Sequence, residues 1–168
     1  MPRVFLSYAR EDAARAKTVA LALENVGHQV WWDQSIRAGA QYGNEIEQAL
    51  KGSDAVVVLW SKCAADSPWV RDEAAAGRDS GRLVPVRLDR SEPPMGFRQF
   101  QTIDLSRWKS GPGSAHLKNL LDAVGTTVGA RPTSAERIAA PKRSASRWLI
   151  IAPVLLVALL VAGYGIGV

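Results

Sequence analysis

Side chains suited to chemistry gather in four polar segments, each of which directly follows an apolar run: residues 7–12, 33–42, 61–73 and 89–100. They supply carboxylates, hydroxyls, aromatic rings and arginines. No G-x-G-x-x-G or G-x-x-x-x-G-K-[ST] sequence follows the first apolar run, and the chain contains no G-x-S-x-G elbow. The segments therefore do not predict a Rossmann dinucleotide turn, a P-loop or a serine-hydrolase nucleophile.

Soft metal ligands and histidine bases are scarce. The single cysteine, Cys63, and the two histidines, His28 and His116, are too few for a zinc finger, an iron–sulfur site or a disulfide framework. We therefore expect no metal and no bound cofactor, and a reducing compartment. Both histidines lie away from the ends of the first and third apolar runs, so we interpret them as surface residues rather than general bases.

The elements that must position the polar segments alternate between strand and helix. Apolar runs at residues 4–6, 28–32, 55–60, 83–88 and 102–105 predict strands. Helical periodicity predicts four helices. The first follows residue 12 and the second ends at Gly52. The third begins at Pro68 after a Ser67 cap and runs to about Gly77, and the fourth covers residues 115–124. This alternation predicts an α/β fold with a parallel sheet covered by helices on both faces. In such sheets ligands bind beyond the carboxyl ends of the strands, where the four polar segments lie.

Length, composition and charge limit the function further. The chain has 168 residues, of which 47% are hydrophobic and 22% charged, so it holds one folded domain with a short appendage and is not a disordered protein. The net charge of +5 arises mostly from the tail, because residues 1–125 carry 16 basic and 15 acidic side chains. The domain is nearly neutral, which argues against a nucleic-acid partner.

The tail itself has the pattern of a membrane anchor. Residues 126–147 are rich in small, polar and basic residues and predict a flexible linker. Residues 148–168 carry no charge and are long enough to span a bilayer as one helix. Lys142, Arg143 and Arg147 precede this span, so the positive-inside rule predicts a single-pass membrane protein with a cytoplasmic N-terminal domain. A buried helix or an interfacial hairpin is the alternative, and both a tail-anchored protein and the front part of a longer one fit the pattern.

Four ordered blocks resemble the Toll/interleukin receptor (TIR) domain family, in its bacterial form. They are the F-L-S-Y-A-R-E-D run at residues 5–12, V-W-W-D at 30–33 with Gly39 and Tyr42, V-V-V-L-W-S at 56–61, and S-P-W-V-R-D-E at 67–73 followed by V-P-V at 84–86. The resemblance covers about residues 1–125. It implies a flavodoxin-like five-stranded parallel sheet, with the loop at residues 33–42 mediating self-association and contacts with other TIR domains.

The family contains scaffolds and enzymes that cleave the nicotinamide–ribose bond of NAD, and the resemblance implies a catalytic role for Glu73. Enzymatic members place their glutamate in a W-x-x-x-E pattern, which Trp69 and Glu73 match. A carboxylate there would stabilise the ribosyl oxocarbenium ion as nicotinamide leaves with its ring nitrogen neutral, so no general acid is needed. The structural alternative is a solvated helix acid paired with a base one turn away.

The same resemblance implies substrate contacts at Tyr8, Arg10, Tyr42, Ser61 and Trp69. Tyr8 would contact nicotinamide, Arg10 a phosphate, and Tyr42 a base or ring, against the alternatives of surface residues and of core packing for Tyr42. Ser61 would bind ribose, although helix capping explains it equally well. Trp69 is more readily interpreted as a packing residue than as a substrate contact.

Two functions remain open. The first is a membrane-tethered NAD glycohydrolase that acts on self-association in signalling or defence, with NAD as substrate rather than cofactor. The second is a non-enzymatic adaptor that binds other TIR domains. A response-regulator-like receiver is a weaker third, because no lysine follows the fourth strand.

Overall fold

The computed structural model describes residues 1–32, 42–108 and 114–130, with side chains from residue 44 onward in the second range. Within them, five strands are β1 (Arg3–Ser7), β2 (Gln29–Trp31), β3 (Ala55–Trp60), β4 (Leu83–Arg87) and β5 (Ile103–Asp104). The helices are α1 (Ala13–Glu24), α2 (Tyr42–Gly52), α3 (Lys62–Asp66), α4 (Pro68–Asp79) and α5 (Ala115–Gly129). A 3-10 turn, Arg10–Asp12, leads from β1 into α1.

All five strands are parallel, in the order β2-β1-β3-β4-β5. The predicted five-stranded, flavodoxin-like parallel sheet is confirmed. Every residue of β3 is buried, as expected for a central strand that is covered on both faces. The chain moves from β1 to β2 on one side and then returns to β3 on the other, so the sheet has its switch point between β1 and β3. Ligand crevices in doubly wound sheets open at such a point.

Helices cover both faces, as the alternation predicts. On one face α1 and α5 pack against the sheet through residues such as Leu23 and Leu120. On the other, α2, α3 and α4 pack through Ile46, Ala64, Val70 and neighbouring residues. Strand residues alternate between the two cores: Val4 and Leu6 belong to the first, whereas Phe5 belongs to the second. The residue two positions after Phe5, which is Ser7, therefore faces the side of the sheet that α4 covers.

The approach of α4 to the sheet depends on Gly77. A Cβ atom built on Gly77 would lie 2.9 Å from Cβ of Val56 in β3, closer than packed atoms tolerate. Replacing Gly77 with alanine is therefore expected to push α4 away from the sheet and to lower the free energy of unfolding by about 1–3 kcal/mol, despite the better helix propensity of alanine. Urea denaturation measures the change.

Gly125 in α5 provides the matched control. No heavy atom lies within 4 Å of a Cβ atom built there. The Gly125→Ala substitution is expected to stabilise the protein by about 0.5–1 kcal/mol through helix propensity alone. Equal effects of the two substitutions would show that the close contact with Val56 has no energetic weight.

Two helices differ from the sequence-based prediction. Helix α3 was not predicted, because five residues are too few to show an apolar period; it begins where the Ser61 hydroxyl accepts a hydrogen bond from the backbone N–H of Ala64. Helix α5 continues past Val124 into the predicted linker, to Gly129. The hydroxyls of Thr126 and Thr127 donate back to backbone carbonyls one turn earlier, and Val128 packs against the core.

The predicted transmembrane helix, residues 148–168, lies outside the described residues, as does the linker from residue 131. Among the helices that the structure describes, none combines the length and the apolar character needed to cross a bilayer.

Candidate functional site

A cavity of about 750 Å³ opens at the carboxyl end of β1, on the side of the switch point that α4 covers. Its walls come from the end of β1, the 3-10 turn, Trp31 of β2, Ile46 of α2 and the segment from α3 into α4. Glu73 lies in this wall. The first and third polar segments of the sequence thus meet at one cavity, as the predicted fold requires.

Helix α4 carries Glu73 on its buried face. Ser67 caps the helix with its hydroxyl, which accepts from the backbone N–H of Val70, and Pro68 occupies the first turn. Val70, Glu73, Ala74 and Gly77 are the buried residues of α4, at the i, i+3, i+4, i+7 spacing of one helix face. A carboxylate therefore occupies a position where this period calls for an apolar side chain.

Glu73 is not a solvated helix acid. Only 8% of its surface is exposed, and no ion pair among the described residues includes it. Burial raises the pKa of Glu73 above its ordinary value. Hydrogen bonding from the Ser7 and Trp69 side chains lowers this pKa, and repulsion by Asp72 raises it, with a net upward shift. The site thus holds a carboxylate that carries its charge at a cost, which is typical of functional positions.

Three of the predicted contact residues line the same cavity. Tyr8 is half-buried beside the core, Arg10 is exposed at the rim, and Trp69 is 50% exposed while its indole N–H interacts with the Glu73 carboxyl one turn away. The structure therefore brings Glu73, Tyr8, Arg10 and Trp69 together. A cation, two aromatic rings and a buried carboxylate can bind a flat, phosphorylated ligand and stabilise positive charge on it.

Ser61 is not part of this cavity. Its hydroxyl accepts from the Ala64 N–H at 3.1 Å and donates to the Asp12 carboxylate at 2.5 Å. The capping alternative accounts for the residue. Tyr42 begins α2, but its side chain lies outside the described residues, and so does most of the predicted self-association loop at residues 33–42.

Two features of the cavity wall were missed by sequence reasoning. Ser7 ends β1 and is 2% exposed, and its position two residues after Phe5 was the signal that could have identified it. Trp31 stacks on Phe5 with ring centroids 4.9 Å apart and an interplanar angle of 11°. The two rings are partners in the β1–β2 register, which the sequence alone does not specify.

Arg15 of α1 organises the loops on the opposite side of the sheet. Its guanidinium donates to the backbone carbonyl of Leu88, to that of Leu105 at 2.5 Å and to that of Trp108 at 3.4 Å. These carbonyls follow β4 and β5. Nearby, burial raises the pKa of Asp12, while its hydrogen bond from Ser61 and the charge of Arg15 act in the opposite direction.

Comparison with known proteins agrees with this fold. The model of the TIR domain family matches residues 4–121. No curated protein sequence matches the chain. Among solved structures, the TIR domain of the Toll-related receptor TRR-2 from Hydra magnipapillata is 19% identical with a TM-score of 0.63, covering 73% of this chain and 97% of that one.

Two other solved structures share the fold. A metazoan TIR-STING receptor from C. gigas, in complex with 2',3'-cGAMP, is 20% identical with a TM-score of 0.60; the match covers 72% of this chain but 38% of the receptor. A Clostridium botulinum CMP N-glycosidase is 18% identical with a TM-score of 0.51, covering 74% and 98%. At these identities the likeness concerns the fold. Because the family model covers most of the chain, the protein belongs to the TIR domain family.

Proposed function

We propose that this TIR domain cleaves NAD to nicotinamide and ADP-ribose, or a cyclic form of it, when several copies associate. The observation that carries the proposal is the buried carboxyl of Glu73 in the wall of an open cavity that Tyr8 and Arg10 also line. A helix acid with a purely structural role would lie in solvent or pair with a base, and Glu73 does neither.

The chemistry needs one carboxylate. The bond between C1′ of the ribose and the nicotinamide nitrogen breaks, and its electron pair stays with that nitrogen, which leaves neutral. The ribosyl oxocarbenium ion that remains is stabilised by the negative charge of Glu73. Water then adds at C1′ and loses a proton, which gives ADP-ribose. A fold that also occurs in a protein named as a CMP N-glycosidase is compatible with cleavage of an N-glycosidic bond.

Self-association and membrane attachment belong to the proposal as well. We propose that residues 148–168 anchor the chain, with the domain in the cytoplasm, and that the loop at residues 33–42 joins neighbouring copies. Two-dimensional confinement on a membrane raises the local concentration of the domain and so favours assembly.

Nicotinamide release from NAD tests the proposed function. The purified full chain, assayed over a range of concentrations and on liposomes, is expected to release nicotinamide with a rate per molecule that rises with density, and the Glu73→Gln variant is expected to lose this activity. Absence of nicotinamide at every density would contradict the proposal. If no nicotinamide is released and the domains still bind one another, both in the wild-type protein and in Glu73→Gln, the adaptor function is favoured.

A further inference from the structure

Ser7 is a buried hydroxyl beside the candidate catalytic carboxyl. It is the last residue of β1, it is 2% exposed, and it lines the same cavity as Glu73. Its position in the sheet is fixed by the parallel pairing of β1 with β3, where Ser7 is opposite Val58. The sheet thus holds the Ser7 side chain at a constant place in the cavity wall.

The hydroxyl of Ser7 differs from those of the other buried serines in the described part of the chain. Ser53 donates to the carbonyl of Leu50 at 2.8 Å, and Ser61 donates to Asp12. Ser7 Oγ makes no hydrogen bond of regular geometry within the described residues. A buried hydroxyl without a hydrogen bond of regular geometry is unfavourable, and such groups in native proteins usually have a functional reason.

Glu73 is the acceptor that this hydroxyl can reach. The Ser7 side chain acts on the carboxyl as a hydrogen-bond donor and lowers the pKa of Glu73, against the upward effect of burial. The contact is looser than a regular hydrogen bond, because the buried Oγ has no partner at normal distance and angle. Ionisation of the carboxyl would strengthen this contact.

We propose that Ser7 is a positioning residue for Glu73: its buried hydroxyl donates to the ionised carboxyl and fixes the orientation in which that carboxyl faces the cavity. The catalytic meaning of this inference rests on the proposed function, whereas the contact itself does not. Trp69 donates from the same helix as Glu73 and is half exposed, so Ser7 is the donor that ties the carboxyl to the rigid sheet.

Most of the charged groups around the Glu73 carboxyl disfavour its ionised form. Asp72 of α4 repels the charge of Glu73. The cavity wall adds Glu11 from the 3-10 turn and Asp66 from the end of α3, and it contains one cationic side chain among the described residues, that of Arg10 at the rim. Neutral donors must therefore favour the ionised form of Glu73 at close range.

Carbon-13 NMR of the labelled full chain tests the contact without any substrate. The Glu73 carboxyl signal is assigned by its loss in Glu73→Gln and is followed over pH. Ser7→Ala and Ser7→Cys, which remove the hydroxyl or replace it with a weak donor, are expected to raise the pKa of Glu73, and Ser7→Thr, which retains the hydroxyl, is expected to restore it. Ser53→Ala, a buried serine at the opposite end of the sheet, is the control and is expected to leave it unchanged.

Kinetics test the positioning role. Ser7→Ala is expected to lower kcat for NAD cleavage by about 10-fold to 100-fold with little change in KM, and to move the acidic limb of the pH profile upward. An unchanged Glu73 titration in folded Ser7→Ala or Ser7→Cys would overturn the inference. If the wild-type chain releases no nicotinamide while the titration responds to Ser7, the contact stands and the proposed function fails.

Discussion

The Glu73→Gln variant is expected to lose NAD cleavage by at least about 100-fold and, at the same time, to become more stable than the wild-type protein at neutral pH. The loss follows because the amide carries no charge to stabilise the oxocarbenium ion. The gain follows because burial raises the pKa of Glu73 in the folded state. A residue that only supports the fold would not change activity and stability in opposite directions.

The pH dependence of the stability gain has a definite sign. The native state holds the Glu73 proton more tightly than the unfolded state, whose pKa is near the ordinary 4.5. Below that pH both states are protonated and the wild-type protein has no cost. As pH rises through the raised folded-state pKa, the wild-type protein loses stability that Glu73→Gln retains. Denaturant midpoints of the two proteins from pH 3 to pH 8 measure this difference.

Asp72→Asn is the matched control for Glu73→Gln. Asp72 is the adjacent carboxylate on α4, and its side chain is exposed. Removing it is expected to leave nicotinamide release close to wild type and to produce no comparable rise in stability at neutral pH. Equal losses of activity in the two variants would instead show that the charge of α4 as a whole matters, and not the buried carboxyl.

Arg15→Met is expected to destabilise the domain by about 2–4 kcal/mol. The guanidinium donates to three backbone carbonyls in the segments after β4 and β5, and Leu88 and Leu105 are fully buried. Methionine retains the apolar stem but removes all three bonds. The Leu105 carbonyl still accepts from the backbone N–H of Trp108, whereas the Leu88 carbonyl loses this donor, and an unsatisfied buried acceptor costs about 1–3 kcal/mol. The midpoint of urea unfolding measures the effect.

Lys17→Met is the control that distinguishes the loss of the Arg15 hydrogen bonds from the loss of one positive charge on α1. Lys17 lies on the same helix, is exposed and carries the same charge. Its replacement is expected to change the free energy of unfolding by no more than about 0.5 kcal/mol. If the two variants unfolded at the same urea concentration, the three carbonyl contacts of Arg15 would have no measurable share in stability.

Most of the fold follows from patterns that the sequence displays directly. The six apolar residues of β3 predict a strand covered on both faces, and the strand–helix alternation predicts the parallel sheet. The pairing register of the strands cannot be predicted from such local patterns, because it depends on which strands become neighbours. The stack of Trp31 on Phe5 follows from that pairing and not from either local pattern. Helix α3 is too short to show a period.

The candidate site could also be predicted from the sequence only in part. The four-residue spacing of Trp69 and Glu73 predicts that both lie on one face of the third predicted helix, and the family resemblance implies the role of Glu73. Ser61 was proposed as a ribose contact, yet local capping of α3 and the bond to Asp12 occupy its hydroxyl. Ser7 was not predicted as a site residue, because a serine at the end of a strand resembles an ordinary turn residue. The roles of residues 33–41 and 131–168 stay predictions.

The positions of the tryptophan rings allow occupancy of the cavity to be followed by intrinsic fluorescence. Of its six tryptophans, Trp60 and Trp108 are buried, whereas Trp31 and Trp69 are 37% and 50% exposed and both border the cavity. Acrylamide is therefore expected to quench the emission of Trp31 and Trp69 more strongly than that of Trp60 and Trp108. A molecule that fills the cavity would shield both from the quencher, so that occupancy can be followed by fluorescence before any product is formed.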